Sequence, residues 1–213
     1  MIILTYNVLS IEDGGFCSYV LTTPIWGVQI IQADGTKFFS KHTRKEQNFH
    51  IVGCEQSQLN ALKHAKAIVI AEGYATADTL SQALGWPVVM AFDSGNLPAV
   101  AQVLKEQFPD KPFIIAGDDD YQLEKKGEVN VGKQKALEAA KLVDGIAVFP
   151  IFAPEEQLRD HLNDFNDLAN KSILGMDAVK KQVGCTIDQV SQQMTQTNRQ
   201  IVPKQAETVM AIR

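Results

Sequence analysis

The 213-residue sequence predicts an α/β fold, a four-stranded parallel sheet with helices on both faces, and three observations carry that reading. The run Ala67-Ile68-Val69-Ile70-Ala71 is too short for a helix and apolar on both faces, as a strand in the centre of a parallel sheet must be. Three more apolar runs, 88–92, 113–116 and 146–149, come after it with helix-period segments between them. Two of the runs deliver acids at their carboxyl ends, Glu72 after the first and Asp118, Asp119 and Asp120 after the third. Open α/β sheets bind their ligands at that rim.

Residues 1–65 read as a β-rich lead-in. Alternation over 26–31 predicts a strand, Ala33-Asp34-Gly35-Thr36 a turn, and 37–40 the returning strand. A further strand over 49–52 stops at Gly53, and Leu59, Leu62 and Ala65 at helical spacing predict a helix over 56–66. In the main unit, 76–84 is a helix ended by Gly85 and Pro87. The next helix, 97–108, carries Pro98 in its first turn, where a missing N–H does no harm. After a polar loop, 131–143 makes the third. Strict βα alternation implies right-handed crossovers and a parallel sheet. Beyond Pro150 the composition changes: 154–170 is acidic, and 172–213 is glutamine-rich and without aromatics. The tail is expected to hold one or two helices, with weak docking or disorder toward Arg213. The expected divisions are 1–65, 66–152 and 153–213, and no internal repeat is visible.

Composition narrows the function. A 45% hydrophobic content supports a real core. No apolar run approaches the ~18–20 residues of a membrane span, and the start lacks a signal-peptide pattern, so a cytoplasmic protein without membrane association is expected. Cys17, Cys54 and Cys185 form no C-x-x-C pair and read as reduced thiols. A net charge of −5 argues against coating duplex DNA. A local basic patch is nonetheless present: Lys37, Lys41, His42, Arg44 and Lys45, with Phe38, Phe39 and Phe49 among or near them. Cations interleaved with aromatics suit single-stranded nucleic acid. A solvated hairpin with Phe38 or Phe39 packed inward fits the pattern equally well.

Carboxylates converging on one sheet rim repel one another unless a cation neutralises them. Oxygen-only donors favour magnesium or manganese over zinc. Asp118 and Asp120 share a side if the segment is extended, which makes them the expected ligand pair and leaves Asp119 open. Glu72 could hold a second ion or serve as general acid/base on a hydroxyl at phosphorus. Taken alone, an aspartate run in a polar loop also suits helix capping or turn closure.

The motifs in order, Ala67 to Ala77 with Glu72-Gly73 at its centre, Ala91-Phe92-Asp93-Ser94-Gly95-Asn96-Leu97, Ala116-Gly117-Asp118-Asp119-Asp120, Asn130-Val131-Gly132 and Asp164-Phe165-Asn166-Asp167-Leu168-Ala169, resemble the Toprim domain of primases carried by conjugative plasmids and phages. The resemblance covers about 66–170. It implies that Glu72 serves in acid/base work or metal binding, that Asp118 and Asp120 are a magnesium pair, and that Gly73 permits close approach after the first strand. It places Asn130 and Gly132 at the opening of a helix whose N-terminus could attract phosphate, with helix capping the equal alternative for Asn130. Asp164 and Asp167 would support the metal site or cap the helix after them. The segment 34–53 is similar to the region preceding this domain in plasmid primases, where Arg44 and Lys45 would contact phosphate, while His50 inside an apolar strand reads as a packed residue.

The resemblance implies metal-dependent nucleotidyl transfer from nucleoside triphosphates on single-stranded DNA during plasmid or phage replication or conjugative transfer, with a helicase or relaxase as partner. Toprim domains also occur in topoisomerases and nucleases, so fold alone does not select the reaction. The zinc-binding domain of replicative primases has no counterpart, the stretch before Ala67 is short for a polymerase lobe, and no tyrosine sits in a strand-breakage motif. A metal-dependent nuclease, and a non-catalytic single-strand-binding or docking module of a larger primase, helicase or relaxase, remain the alternatives.

Overall fold

Two antiparallel strand pairings build the first sheet of the computed structural model, which describes residues 2–6, 25–32, 34–54 and 59–210. Strands β1 (Ile2–Tyr6), β2 (Ile25–Ile31) and β3 (Lys37–Phe39) pair in that order. The expected turn is present around Gly35, at φ +87°, with the Thr36 amide donating to Asp34 Oδ1 at 2.9 Å. Ala33, Cys17 and residues 55–58 of the expected 56–66 helix lie outside the described residues. The remainder of that span holds a 3-10 helix, Leu59–His64.

The expected strand over 49–52 does not belong to that first sheet. As β4 (His50–Val52) it lies antiparallel on the edge of the main sheet, beside β6 (Val88–Met90). Ile51 and Val52 point to opposite faces and both are buried, which a half-exposed hairpin could not provide. The four expected parallel strands, β5 (Ile68–Ala71), β6, β7 (Phe113–Ala116) and β8 (Ile146–Val148), complete a five-stranded sheet of order β4-β6-β5-β7-β8.

Helix α1 (Tyr74–Leu84) leads from β5 to β6 on one side, and α2 (Leu97–Gln107) returns the chain to β7 on the other side of β5. The winding therefore reverses at β5, and a crevice opens beyond the carboxyl ends of β5 and β7. The loop after β7 contains a short helix, α3 (Tyr121–Lys125), where only polar loop was expected, and then α4 (Val131–Leu142). The acidic stretch holds α5 (Glu156–Asp160) and α6 (Phe165–Asn170), and α7 (Gly175–Met210) is one helix.

Side-chain alternation along the central strands makes two cores. Val69, Ala71, Ile114 and Ala116 pack on one face with α1, α6 and α7, while Ile68, Ile70, Phe113 and Ile115 pack on the other with α2 and α4. Val179, Val183, Ile187 and Val190, spaced three or four apart, bury the first turns of α7 against the first face, so this part of the tail is docked firmly. Residues 211–213 lie outside the described residues. No described helix is long and apolar enough to cross a membrane.

Candidate metal and nucleotide site

Glu72 and Asp118 meet at the crevice. Ala71 and Ala116 are paired across β5 and β7, so the next residues leave the sheet side by side. Gly117 is required there: a Cβ would lie 2.5 Å from the Phe149 ring and 2.6 Å from the Ala136 Cβ. Burial raises the affinity of Glu72 for its proton, the neighbouring Asp93 and Asp164 add to the rise, and a hydrogen bond from the Ser94 backbone and the charge of Lys37 oppose it. Asp118 is pushed up to about 8, first by burial and then by Glu72 and Asp164, again with Lys37 opposing. Its Oδ1 is buried without any hydrogen-bond partner among the described residues.

The other two aspartates of the run lie in a turn. The Tyr121 amide donates to the Asp119 carbonyl at 2.8 Å, and Asp120 between them has φ −78° and ψ 69°. That is an inverse γ-turn. It redirects the chain after Asp120, and the Asp120 carboxylate makes no hydrogen bond or ion pair among the described residues. Asp119 is turned toward α4, where its Oδ1 accepts from Asn130 Nδ2 at 3.1 Å and from Lys133 Nζ at 3.2 Å.

Asn130 is the N-cap of α4, its Oδ1 accepting from the Lys133 amide at 3.1 Å. Capping and the link to Asp119 together account for its burial. Gly132, in the first turn, lies over Glu72 and the Asp118 backbone: a Cβ there would sit 3.5 Å from the Asp118 carbonyl oxygen and 3.6 Å from Glu72 Oε2. The positive end of α4 thus faces the Glu72 carboxylate beside Asp118. Asp164 caps α6 through the Asp167 amide, at 2.7 Å, and accepts from Thr76 Oγ1 of α1 at 3.1 Å. Asp167 accepts from the Asn163 amide at 3.0 Å and pairs with Lys171 at 2.7 Å. Both therefore cap and brace α6, and Asp164 also adds negative potential to the crevice.

The basic segment divides. Lys37, on β3, reaches the crevice: its Nζ would lie 3.3 Å from a Cβ placed on Gly73, the residue that opens α1. Lys45 is held by Asp93 in an ion pair and lies over the Phe39 ring. Arg44 covers the Trp26 ring at 5.0 Å and makes no ion pair among the described residues. Lys41 is exposed. Phe39 packs inward against Phe92 while Phe38 stays half exposed, so the hairpin both packs and presents its cations.

Sequence reasoning gave no role to Asn96. Its Nδ2 donates to the carbonyls of Lys45, Asn48 and Ala91, and its Oδ1 accepts from the Gln47 amide. It joins the 45–48 loop to the carboxyl end of β6. The motif from Ala91 to Leu97 contains it, but nothing in its type or spacing announces four such bonds.

A divalent cation fits the donors present, which are hard oxygens with one buried carboxylate oxygen left unpaired. Among the described residues, no group of three or more His, Cys, Asp or Glu side chains is already arranged to hold an ion. Glu72 and Asp118 can supply two protein ligands, a number that suits magnesium, which keeps several waters and uses substrate phosphates.

Comparison with known proteins agrees with this architecture. Residues 66–152 match the model of the Toprim domain. Two proteins of Escherichia coli named DNA primase TraC are 42% and 41% identical, each over 78% of this chain. The chain corresponds to 20% of the first and 15% of the second, so it spans a fifth or less of the length of these relatives. The mostly parallel α/β sheet agrees with that match, and residues 66–152 of this chain are a Toprim domain.

Proposed function

We propose that this chain carries the nucleotidyl-transfer site of a primase-like protein, joining nucleotides from nucleoside triphosphates on single-stranded DNA in plasmid or phage replication or transfer. The observation that supports it best is the buried, unpaired Oδ1 of Asp118 beside Glu72, two acids that a cation would relieve. Glu72 and Asp118 would hold magnesium or manganese, with Asp120, whose carboxylate makes no bond among the described residues, as the further ligand. When bound, the ion would neutralise triphosphate charge and favour ionisation of the attacking hydroxyl.

The chain's own groups supply the rest. Glu72, whose proton affinity burial raises, is suited to take the proton of the attacking hydroxyl. The amide end of α4 at Gly132 and the ammonium of Lys37 attract phosphate oxygens to the same crevice. Gly73 keeps space beneath Lys37. Lys41 and Arg44 extend positive charge along the lead-in sheet, and a helicase or relaxase is the partner such a reaction calls for.

The test is incorporation of labelled ribonucleotides on a single-stranded DNA template with magnesium or manganese, comparing the chain with Asp118→Asn. Product from the intact chain alone is expected. Equal product from both proteins would overturn the site, and cleavage of labelled DNA without nucleotides would favour hydrolysis at the same acids.

A further inference from the structure

An open cleft of about 550 Å³ lies beside the carboxylate crevice, lined by Trp26, Arg44, Lys45, Glu46, Gln47 and Asn48. Neither Glu72 nor Asp118 lines it. Two of its lining side chains carry buried polar atoms without partners among the described residues, a donor at Trp26 Nε1 and an acceptor at Asn48 Oδ1. Asn48 itself is 2% exposed. Buried polar atoms are ordinarily paired, so a donor and an acceptor left over in one wall suggest a ligand that bonds to both. The Arg44 guanidinium lies over the Trp26 ring and has no acid of its own among the described residues. Lys45, by contrast, is already neutralised by Asp93.

We infer that this cleft binds one nucleotide of a single strand, with its base stacked at Trp26 and its phosphate on Arg44. The inference deepens the nucleotidyl-transfer reading and rests on it. An aromatic face, a planar cation, one donor and one acceptor are the groups that a base and its phosphate engage. Arg44 resting on Trp26 keeps the ring covered until a phosphate draws the guanidinium aside, which exposes the ring and opens a path to the two unpaired atoms. Position favours a strand over a free nucleotide. The 45–48 loop is fastened by Asn96 to the end of β6, and Asp93, which raises the proton affinity of Glu72, holds Lys45. The cleft therefore has a fixed place along the approach to the acids, where a template nucleotide would be held while the reacting groups occupy the crevice. Glu46 in the wall works against the phosphate.

Tryptophan emission reads this directly, since the chain has only Trp26 and Trp86. Oligothymidylate is titrated into the full chain carrying Asp118→Asn, which prevents turnover. Quenching is expected, with Trp26→Phe abolishing most of the signal while the circular dichroism is unchanged. Arg44→Ala should weaken binding about tenfold, Arg44→Lys should not restore it, and Glu46→Gln should tighten it. Quenching that survives Trp26→Phe, or affinity indifferent to Arg44→Ala, would overturn the inference. Quenching by a ribonucleoside triphosphate that oligothymidylate neither produces nor displaces would overturn the assignment to a strand. Absence of nucleotide incorporation by the unsubstituted chain, with this quenching intact, would count against the transfer reading alone.

Discussion

Glu72 and Asp118 stand at the ends of neighbouring strands whose last residues, Ala71 and Ala116, are paired, and their shared burial makes each acid hold its proton more tightly. For Asp118 the consequence has a definite sign. Its folded value of about 8 lies above the ordinary 3.8, so between those limits the folded protein binds a proton that the unfolded chain has released. The contribution is fully present below about pH 4 and is lost as pH rises toward about 8. Chelator-treated protein should therefore lose urea resistance across that window more steeply than Asp118→Asn, and added magnesium should restore resistance at the alkaline end. Parallel pH profiles for the two proteins would show that Asp118 is not perturbed in this way.

Lys37 lowers the proton affinity of both acids from a different sheet. Lys37→Met should therefore move the pH midpoint for manganese binding upward, because the acids must lose protons before they can ligate. Nucleotide incorporation should fall by about tenfold or more, the range of a lost phosphate contact. Manganese titrations followed by electron paramagnetic resonance at several pH values would decide it, and an unchanged midpoint would remove Lys37 from the site.

The central fold was legible because each buried strand is a short run apolar on both faces, a pattern that needs a covered parallel sheet. β4 carries the same two-sided pattern in Ile51 and Val52, yet its partner β6 lies 36 to 40 residues away by the paired positions, and no local signal names a distant antiparallel edge. The candidate site was partly legible. The strand-end positions of Glu72 and Asp118 follow from the apolar runs, whereas nothing in the alternation announces the turn at Asp120. The inverse γ-turn at Asp120, reinforced by the Asp119 bonds to Asn130 and Lys133, is set by contacts across the loop that alternation does not encode. Asp164 caps α6 and also adds negative charge beside Glu72 and Asp118, two effects of one carboxylate that its place in the sequence does not separate.

Two glycines at the rim separate packing from chemistry. Gly117→Ala drives a methyl against Phe149 and Ala136 and should cost about 1–3 kcal/mol in urea unfolding. Gly132→Ala meets only ordinary contact distances and adds helix propensity within α4, so its stability should stay equal or rise by up to about 1 kcal/mol. The same methyl would stand over Glu72 Oε2, where cation and phosphate are proposed to gather. Incorporation should fall in Gly132→Ala despite intact folding; a fully active, equally stable Gly132→Ala would show that the end of α4 does not border the reacting groups.

Asn96 connects the lead-in to the main sheet through four hydrogen bonds of one side chain. Replacing it with alanine leaves the carbonyls of Lys45, Asn48 and Ala91 and the amide of Gln47 without their side-chain partner. Buried groups stripped of a partner cost about 1–3 kcal/mol apiece where water cannot reach them, so a loss of at least about 2 kcal/mol is expected. Asn96→Asp keeps the acceptor for Gln47 but turns the donor into a second acceptor facing three carbonyls, and it should be at least as harmful. Hydrogen exchange distinguishes this from general destabilisation: the Gln47 and Asn48 amides should lose protection in Asn96→Ala before those of β5 and β7 do. Uniform loss across the sheet would instead mean that Asn96 supports the whole fold and that the 45–48 loop is not held by this one side chain.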